Sequence, residues 1–289
     1  MNNKNLCSFK SLPDNLENLL IADEDNPILE VQDKVFTRCL FIRLGLKSTE
    51  FKKVTFNQCI FQDCYMRKAK FNNVDFTGSF FTDCNLEKAS FQAVQLRYVR
   101  FLRCILNYRE ILQSLPVEPI IAISLLKALR QNATMMGSNE VGDAILLQEI
   151  KLETHEFKNQ FLGVSTYYKD RYKNFDKLKS FLLFLCNKIS EFCWGYGIKL
   201  RSLFRSALLI VVLFAFIFYL GTFKFCDSSP ISLGVWDSLY FSIVTFTTLG
   251  HPLYAPISLF CQAACAIESF LGVLFLGFFA ASVYRKFSR

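Results

Sequence analysis

Between Phe36 and Leu106 a large apolar residue recurs at every fifth position. The series is Phe36, Phe41, Leu46, Phe51, Phe56, Phe61, Met66, Phe71, Phe76, Phe81, Leu86, Phe91, Leu96, Phe101 and Leu106. Two residues before most of these stands a small side chain: Cys39, Thr49, Val54, Cys59, Cys64, Ala69, Val74, Ser79, Cys84, Ala89, Val94, Val99 and Cys104. A period of five fits neither the 3.6-residue helix nor the two-residue strand, so neither simple element explains residues 34–108.

After Tyr108 the pattern changes. Apolar residues take helical spacing over Pro119–Met136, Gly137 interrupts them, and Ser138 or Asn139 can cap a second helix over Val141–Phe161. Residues 109–174 therefore read as a helical hairpin and linker, packed on the end of the repeat as a cap. Residues 175–200 begin FDKLKSFLLFLCNKISEFCW, with Lys and Leu/Phe on a helical period. Such a helix can lie along a membrane surface with Lys177, Lys179 and Lys188 towards headgroups; a buried protein contact is the alternative.

Two longer apolar runs follow. Arg205 and Lys224 bracket 18 uncharged residues, enough to cross a bilayer as a first span at about 205–223. A second run covers 257–284 and ends in Arg285, Lys286 and Arg289, while Lys199, Arg201 and Arg205 precede the first. Thr222–Pro256 between them holds one Lys and no Arg, so both termini are expected in the cytoplasm. WDSLYFSIVTFTTLG, Trp236–Gly250, is apolar but too short to span, which predicts a re-entrant segment. Backbone at that depth is tolerated where protein buries it or it lines a water-filled cavity. Glu268 lies inside the second span, about 25 Å from Arg285 along a helix. It is expected either to brace the re-entrant loop through hydroxyls such as Ser242 or to snorkel outwards.

Charge and composition narrow the function. The chain of 289 residues has a formal charge of +8 and 32 Phe. Residues 34–108 hold 13 Lys/Arg against 5 Asp/Glu, which suits an anionic membrane leaflet, and no nucleic-acid partner is expected. The opening MNNKNLCSFK has no secretory signal. The 11 Cys lack paired metal or disulfide spacings and read as buried thiols in a reducing compartment. The two His, His155 and His251, sit in unrelated segments, and no nucleophile–base pair, metal motif or phosphate loop argues for an enzyme or a cofactor.

Two resemblances organise these observations. The five-residue register resembles the pentapeptide-repeat family, which implies a right-handed quadrilateral β-solenoid with four pentads per coil, about four coils, and residues 1–33 as an N-terminal cap segment. Some members mimic acidic DNA; the basic charge here has the opposite sign. The arrangement of span, short helix, Thr-rich turn and span resembles the two-transmembrane potassium-channel-like family. The approach WGYGIKLRSLFRSALL is similar to bacterial members that join both parts. The fold class is therefore a multidomain membrane protein: cytoplasmic β-solenoid, α-helical linker, and a two-span pore domain over 201–289.

The second resemblance implies a homotetramer in the cell inner membrane, permeated by K⁺ or Na⁺, with a pore helix at 236–247 and a filter at 248–252. Thr247, Thr248, Leu249, Gly250, His251 and Pro252 are then the ion-filter residues. Trp236, Tyr240, Ser242, Thr245 and Glu268 support them, and Gly272 and Gly277 are gating hinges or close-packing positions. The metal sites implied are those of permeating monovalent cations. The sequence departs from the family where His251 replaces Tyr, Pro252 replaces Gly and Leu253 replaces an acid. Pro fixes φ and removes an N–H, so the outer carbonyl ring cannot take its usual geometry. The expectation is a weakly selective cation channel, made acid-sensitive by imidazoles that titrate near pH 6–7. A non-conducting membrane-anchored scaffold and a membrane-depolarising effector are the alternatives.

Overall fold

The computed structural model describes residues 13–23, 30–198, 200–225, 231–250 and 254–287. The chain divides into two compact units, Met1–Ser180 and Phe181–Arg289.

In the first unit, three-residue strands stack in parallel with a 20-residue repeat. One side carries Asn15–Glu17 (β1), Val35–Thr37 (β4) and Thr55–Asn57 (β7). The next carries Leu20–Ala22 (β2), Leu40–Ile42 (β5), Ile60–Gln62 (β8), Phe80–Thr82 (β10) and Arg100–Leu102 (β12). A third carries Glu30–Gln32 (β3), Glu50–Lys52 (β6), Lys70–Asn72 (β9) and Ser90–Gln92 (β11). The remaining side is a ladder of single bridges, Gly45–Tyr65–Asn85–Ile105. Four sides and four pentads per coil make a β-solenoid of about four turns.

The coil ladder begins at Asn15, inside the segment expected to be a cap, because Leu16, Ile21 and Val31 occupy the same inward register as the phenylalanines. Each pentad turns its corner through one left-handed residue, with φ between 50° and 60° at positions such as Arg38, Arg43 and Ser48. Side chains resist that region, so the corners persist because the ladder over-determines them.

The pentad period is explained by the shaft. Phe41, Phe61, Phe81 and Phe101 form one column with ring centroids 4.6, 4.6 and 5.2 Å apart. That spacing matches the roughly 4.8 Å between adjacent strands. Phe36–Phe56–Phe76 and Phe51–Phe71–Phe91 form two more columns, and Leu46, Met66 and Leu86 fill the fourth. Neighbouring columns meet edge to face, as Phe36 and Phe41 do at 5.4 Å and 74°. The small residues complete the corners. The Sγ atoms of Cys59, Cys84 and Cys104 each donate to a carbonyl of the coil below at 3.4 Å, and Ser79 Oγ does the same at 2.7 Å. A thiol here is a small buried donor.

Helix α1 (Tyr108–Gln113) leaves the last coil, and α2 (Pro119–Met135) with α3 (Asn139–Leu162) forms the hairpin. Gly137 makes the turn with φ 70°; Ser138 is the N-cap residue of α3, without a side-chain capping bond. Leu125, Leu126, Leu129 and Ala133 of α2 join the solenoid core and close its C-terminal end. Asn132, fully buried, supplies what a further coil would have supplied. Its Oδ1 accepts the Cys104 N–H at 2.8 Å, and its Nδ2 donates to Cys104 O and Tyr108 Oη, each at 2.8 Å. On α3, Glu156 accepts from Tyr168 of α4 (Thr166–Arg171) at 2.9 Å, and Gln160 Oε1 accepts from Ser180 at 2.9 Å.

Candidate functional site

Ser180 lies on α5 (Asn174–Cys193), which enters the second unit. Phe175, Leu178, Leu182, Leu185, Ile189 and Phe192 form an exposed apolar stripe along it. At its end the chain turns through Gly195, Tyr196 and Gly197, all with positive φ. Helix α6 (Leu200–Tyr219) then closes over the free carbonyls of α5: Arg205 donates to Phe192 O at 2.9 Å and Ser206 donates to Cys193 O. Cationic and hydroxyl donors at a helix C-terminus satisfy orphan carbonyls and complement the dipole. Lys199, counted with the basic flank, lies outside the described residues, as does Arg289.

α6 stops at Tyr219 rather than Phe223. Gly221 packs where a Cβ would stand 2.4 Å from Cys261 Sγ, and Thr222–Phe225 (β13) leaves as a strand. It pairs antiparallel with Ile231–Ser232 (β14) and with Tyr254–Pro256 (β15). Between β14 and β15 sits the short helix α7 (Val235–Phe246), and α8 (Leu259–Phe287) follows. β15 thus ties the chain leaving the α7 loop back to the strand that leaves α6.

Helices α6 and α8 are long and apolar enough to cross a membrane, with mean hydropathies of 2.2 and 2.0. Only 33% and 17% of their most apolar stretches are buried within the chain, unlike the mostly buried core helix of a soluble fold. α7 packs against both. Phe241 on α7 meets Phe218 of α6 at 5.0 Å and 90°, and Phe223 of β13 at 5.1 Å and 69°. This aromatic cluster packs the inward face of α7. Trp236 is 81% and Tyr240 56% exposed, in one stripe with Ile243 and Thr247. The small residues Ser238 and Ser242 mark the inward face, and the phase they set could have located Phe241.

Ser242 and Glu268 are brought together. Ser242 Oγ donates to Val211 O of α6 at 2.8 Å and hydrogen-bonds Glu268 Oε1 of α8, so one hydroxyl joins three helices. Glu268 has no exposed surface, and its Oε2 has no hydrogen-bond partner among the described residues. Thr245 is buried, and its carbonyl accepts from Ser269 Oγ at 3.4 Å. Gly272 is a close-packing position: a Cβ there would fall 1.8 Å from Phe246 O, at the end of α7. Gly277 has nothing within 4 Å of an added Cβ.

α7 ends in a reversal that needs no glycine. Thr248 N–H bonds Thr245 O at 3.0 Å and Leu249 N–H bonds Val244 O at 3.1 Å, with Thr248 at φ 59°. These are the two bonds of a Schellman motif, with a β-branched residue in the left-handed position. Such an outlier is unfavourable and is concentrated at functional sites. Gly250 follows at φ 75°, and Thr247, Thr248, Leu249 and Gly250 are all exposed. His251, Pro252 and Leu253 lie outside the described residues.

Comparison with known proteins agrees with this division. Residues 34–111 match the family described as pentapeptide repeat region, and residues 206–289 match the family described as ion channel. No curated protein matches. Among solved structures, the chain is similar to a trypsin-treated form of QnrB1, a plasmid-mediated fluoroquinolone resistance protein, at 19% identity. The match covers 32% of this chain and 56% of that one, with a TM-score of 0.17. A second is the pentapeptide repeat protein Rfr23 from the cyanobacterium Cyanothece 51142, at 13% identity over 30% and 63% of the two chains, TM-score 0.15. Full-length QnrB1 matches at 16% identity over 31% and 59%, TM-score 0.13. The chain spans less than two thirds of the length of each of these three. With the ion-channel match and two candidate spans around the short helix α7, the chain joins a pentapeptide-repeat domain to a two-span ion-channel domain.

Proposed function

We propose that the chain assembles as a homotetrameric cation channel whose filter is formed by Thr247, Thr248, Leu249, Gly250, His251 and Pro252. The observation that carries the reading is α7 itself, a helix too short to span, seated between two candidate spans and ending in an exposed, left-handed turn. The carbonyl end of α7 carries the negative end of its dipole and favours a cation beside Thr247. Four such loops facing one another would ring an ion with hydroxyl and carbonyl oxygens. The exposed stripe Trp236, Tyr240, Ile243 and Thr247 is the α7 surface available to neighbouring copies. Pro252 lacks the N–H and the backbone freedom of the glycine it replaces, which supports weak discrimination between K⁺ and Na⁺.

Arg201 and Arg205 at one end of α6 and Arg285 near the end of α8 support cytoplasmic termini in a bacterial inner membrane. The exposed apolar stripe of α5, with Lys177, Lys179 and Lys188, then lies along the anionic leaflet. Flux of K⁺ and Na⁺ from proteoliposomes of the purified chain tests the proposal. Comparable efflux of both ions, abolished by Gly250→Val, is the expected result. Efflux of Cl⁻ in place of either cation, or flux unchanged in Gly250→Val, would remove it.

A further inference from the structure

α2 has two faces with different tasks. Leu125, Leu126, Leu129, Asn132 and Ala133 face the last coil, whereas Ser124, Lys127, Gln131 and Thr134 form an adjacent exposed stripe. That stripe and the outer surface of β12 bound an open groove of about 790 Å³. Its chemistry is not that of the coils beneath. The outward column at its floor runs Leu20, Leu40, Ile60, Phe80 in register and changes to Arg100 at the groove. Tyr98 stands at the corner beside it, 60% exposed, and one coil below it the corresponding residue is Gly78.

The cations are arranged differently from those elsewhere on the solenoid. On other corners Arg43 and Arg103 are each held by two hydrogen bonds to Asp23 and Asp83. No Asp or Glu is among the described residues that line the groove beside Arg100. Opposite it, the buried Glu149 fixes Arg130 through Nε at 2.9 Å, which leaves the two terminal nitrogens of that guanidinium for another acceptor. Lys127 is held against Glu153 at 2.9 Å. The groove therefore presents cations on two elements, an exposed phenol ring at the corner beside Arg100, and the amide and hydroxyl of Gln131 and Thr134.

We propose that this groove binds a nucleoside phosphate, with the base on Tyr98 and the phosphates between Arg100 and the Lys127–Arg130 pair. Guanidinium groups pair phosphate oxygens through two parallel hydrogen bonds, and an aromatic ring supplies a stacking face tolerant of base identity. The volume falls within the range of small-ligand sites. Lysine and arginine alone would suit any polyanion; the exposed ring beside them selects an anion that carries a planar group. Binding here makes the repeat unit a receptor for a soluble ligand, independent of whether the second unit conducts.

Calorimetric titration of the full-length protein in detergent with ATP, GTP, adenosine and tripolyphosphate tests this. ATP or GTP binds, and adenosine and tripolyphosphate each bind more weakly. Arg100→Glu weakens nucleotide binding about 10- to 100-fold, Arg100→Lys less, and Tyr98→Ala about tenfold. Both side chains are exposed, so the unliganded melting midpoint of each variant stays at that of the parent. Were Arg100→Glu to misfold, Lys127→Gln provides the second test of the phosphate side. No binding of either nucleotide at millimolar concentration overturns the proposal. So does binding that Arg100→Glu or Lys127→Gln leaves unchanged, or tripolyphosphate binding as tightly as ATP.

Discussion

Asn132→Ala measures how the cap helix closes the solenoid. In the parent, the Cys104 N–H and C=O have no next coil to bond and are satisfied by the Asn132 amide at 2.8 Å each. Alanine removes both partners while Leu125, Leu126 and Leu129 continue to exclude water. Each unpaired buried backbone group costs about 1–3 kcal/mol, so the pair costs about 2–5 kcal/mol after partial relaxation. For a unit of this size a kilocalorie shifts the midpoint by about 2–4 °C, which gives a fall of about 4–20 °C. Asn132→Asp fares no better: it retains the acceptor for Cys104 N–H, loses the donor, and brings a carboxylate to the Cys104 carbonyl. The exposed neighbour Gln131→Ala stays within about 0.5 kcal/mol of the parent. Thermal melts of the full-length protein in detergent, followed by circular dichroism, give the magnitude. Hydrogen exchange gives the location, because coils couple to nearest neighbours and the last one frays first. A midpoint unchanged within about 1–2 °C, equivalent to about half a kilocalorie, or protection lost equally from the first coil, would refute the capping role.

Further outcomes follow from other contacts. Gly272→Ala prevents correct seating of α8 against Phe246 O and yields little assembled protein by size-exclusion chromatography, whereas Gly277→Ala assembles as the parent does. Equal behaviour of the two would contradict the packing assigned to Gly272. Ser242→Ala removes the hydroxyl shared by Val211 O and Glu268, and lowers the detergent melting midpoint by an amount equivalent to about 1–3 kcal/mol; Ser242→Thr, which retains the hydroxyl, loses less. Among the described cysteines, maleimide labels the exposed Cys186 first, and Cys39, Cys59, Cys64, Cys84 and Cys104 react only on unfolding, as peptide mapping will read. The Tyr168 phenol is pushed up to about 12 by burial and by its bond to Glu156. Its raised value means that the α3–α4 contact is fully stabilising below about pH 10 and is lost as pH rises through 12. The alkaline absorbance difference between the parent and Tyr168→Phe tests that window.

The solenoid was legible because its core obeys a period that no helix or strand produces. Its first coil was not, since Leu16, Ile21 and Val31 are ordinary aliphatics without the small partner residue at a regular offset. The hairpin followed from helical spacing and Gly137. Asn132 could not be read, because a polar residue on an apolar helix face acquires meaning only against the unpaired backbone it meets. In the second unit, length and charge located both spans and the short helix. Glu268 and Ser242 were legible as a pair through their shared depth. On α7, Ser238 and Ser242 show the inward side, where Phe241 packs, and Phe241 itself could have been placed from their phase. The β13–β15 pairing rests on contacts more than twenty residues apart, which local propensity does not encode.

The proposed function requires a cation pathway through an assembly of these loops. Planar-bilayer recording of the purified full-length protein under asymmetric K⁺, Na⁺ and Cl⁻ addresses it most directly. Unitary currents should follow the cation gradients, with a K⁺/Na⁺ bi-ionic reversal potential near zero and loss of current in Gly250→Val. Currents that reverse at the Cl⁻ potential, or well-folded protein that carries no current at all, would contradict it.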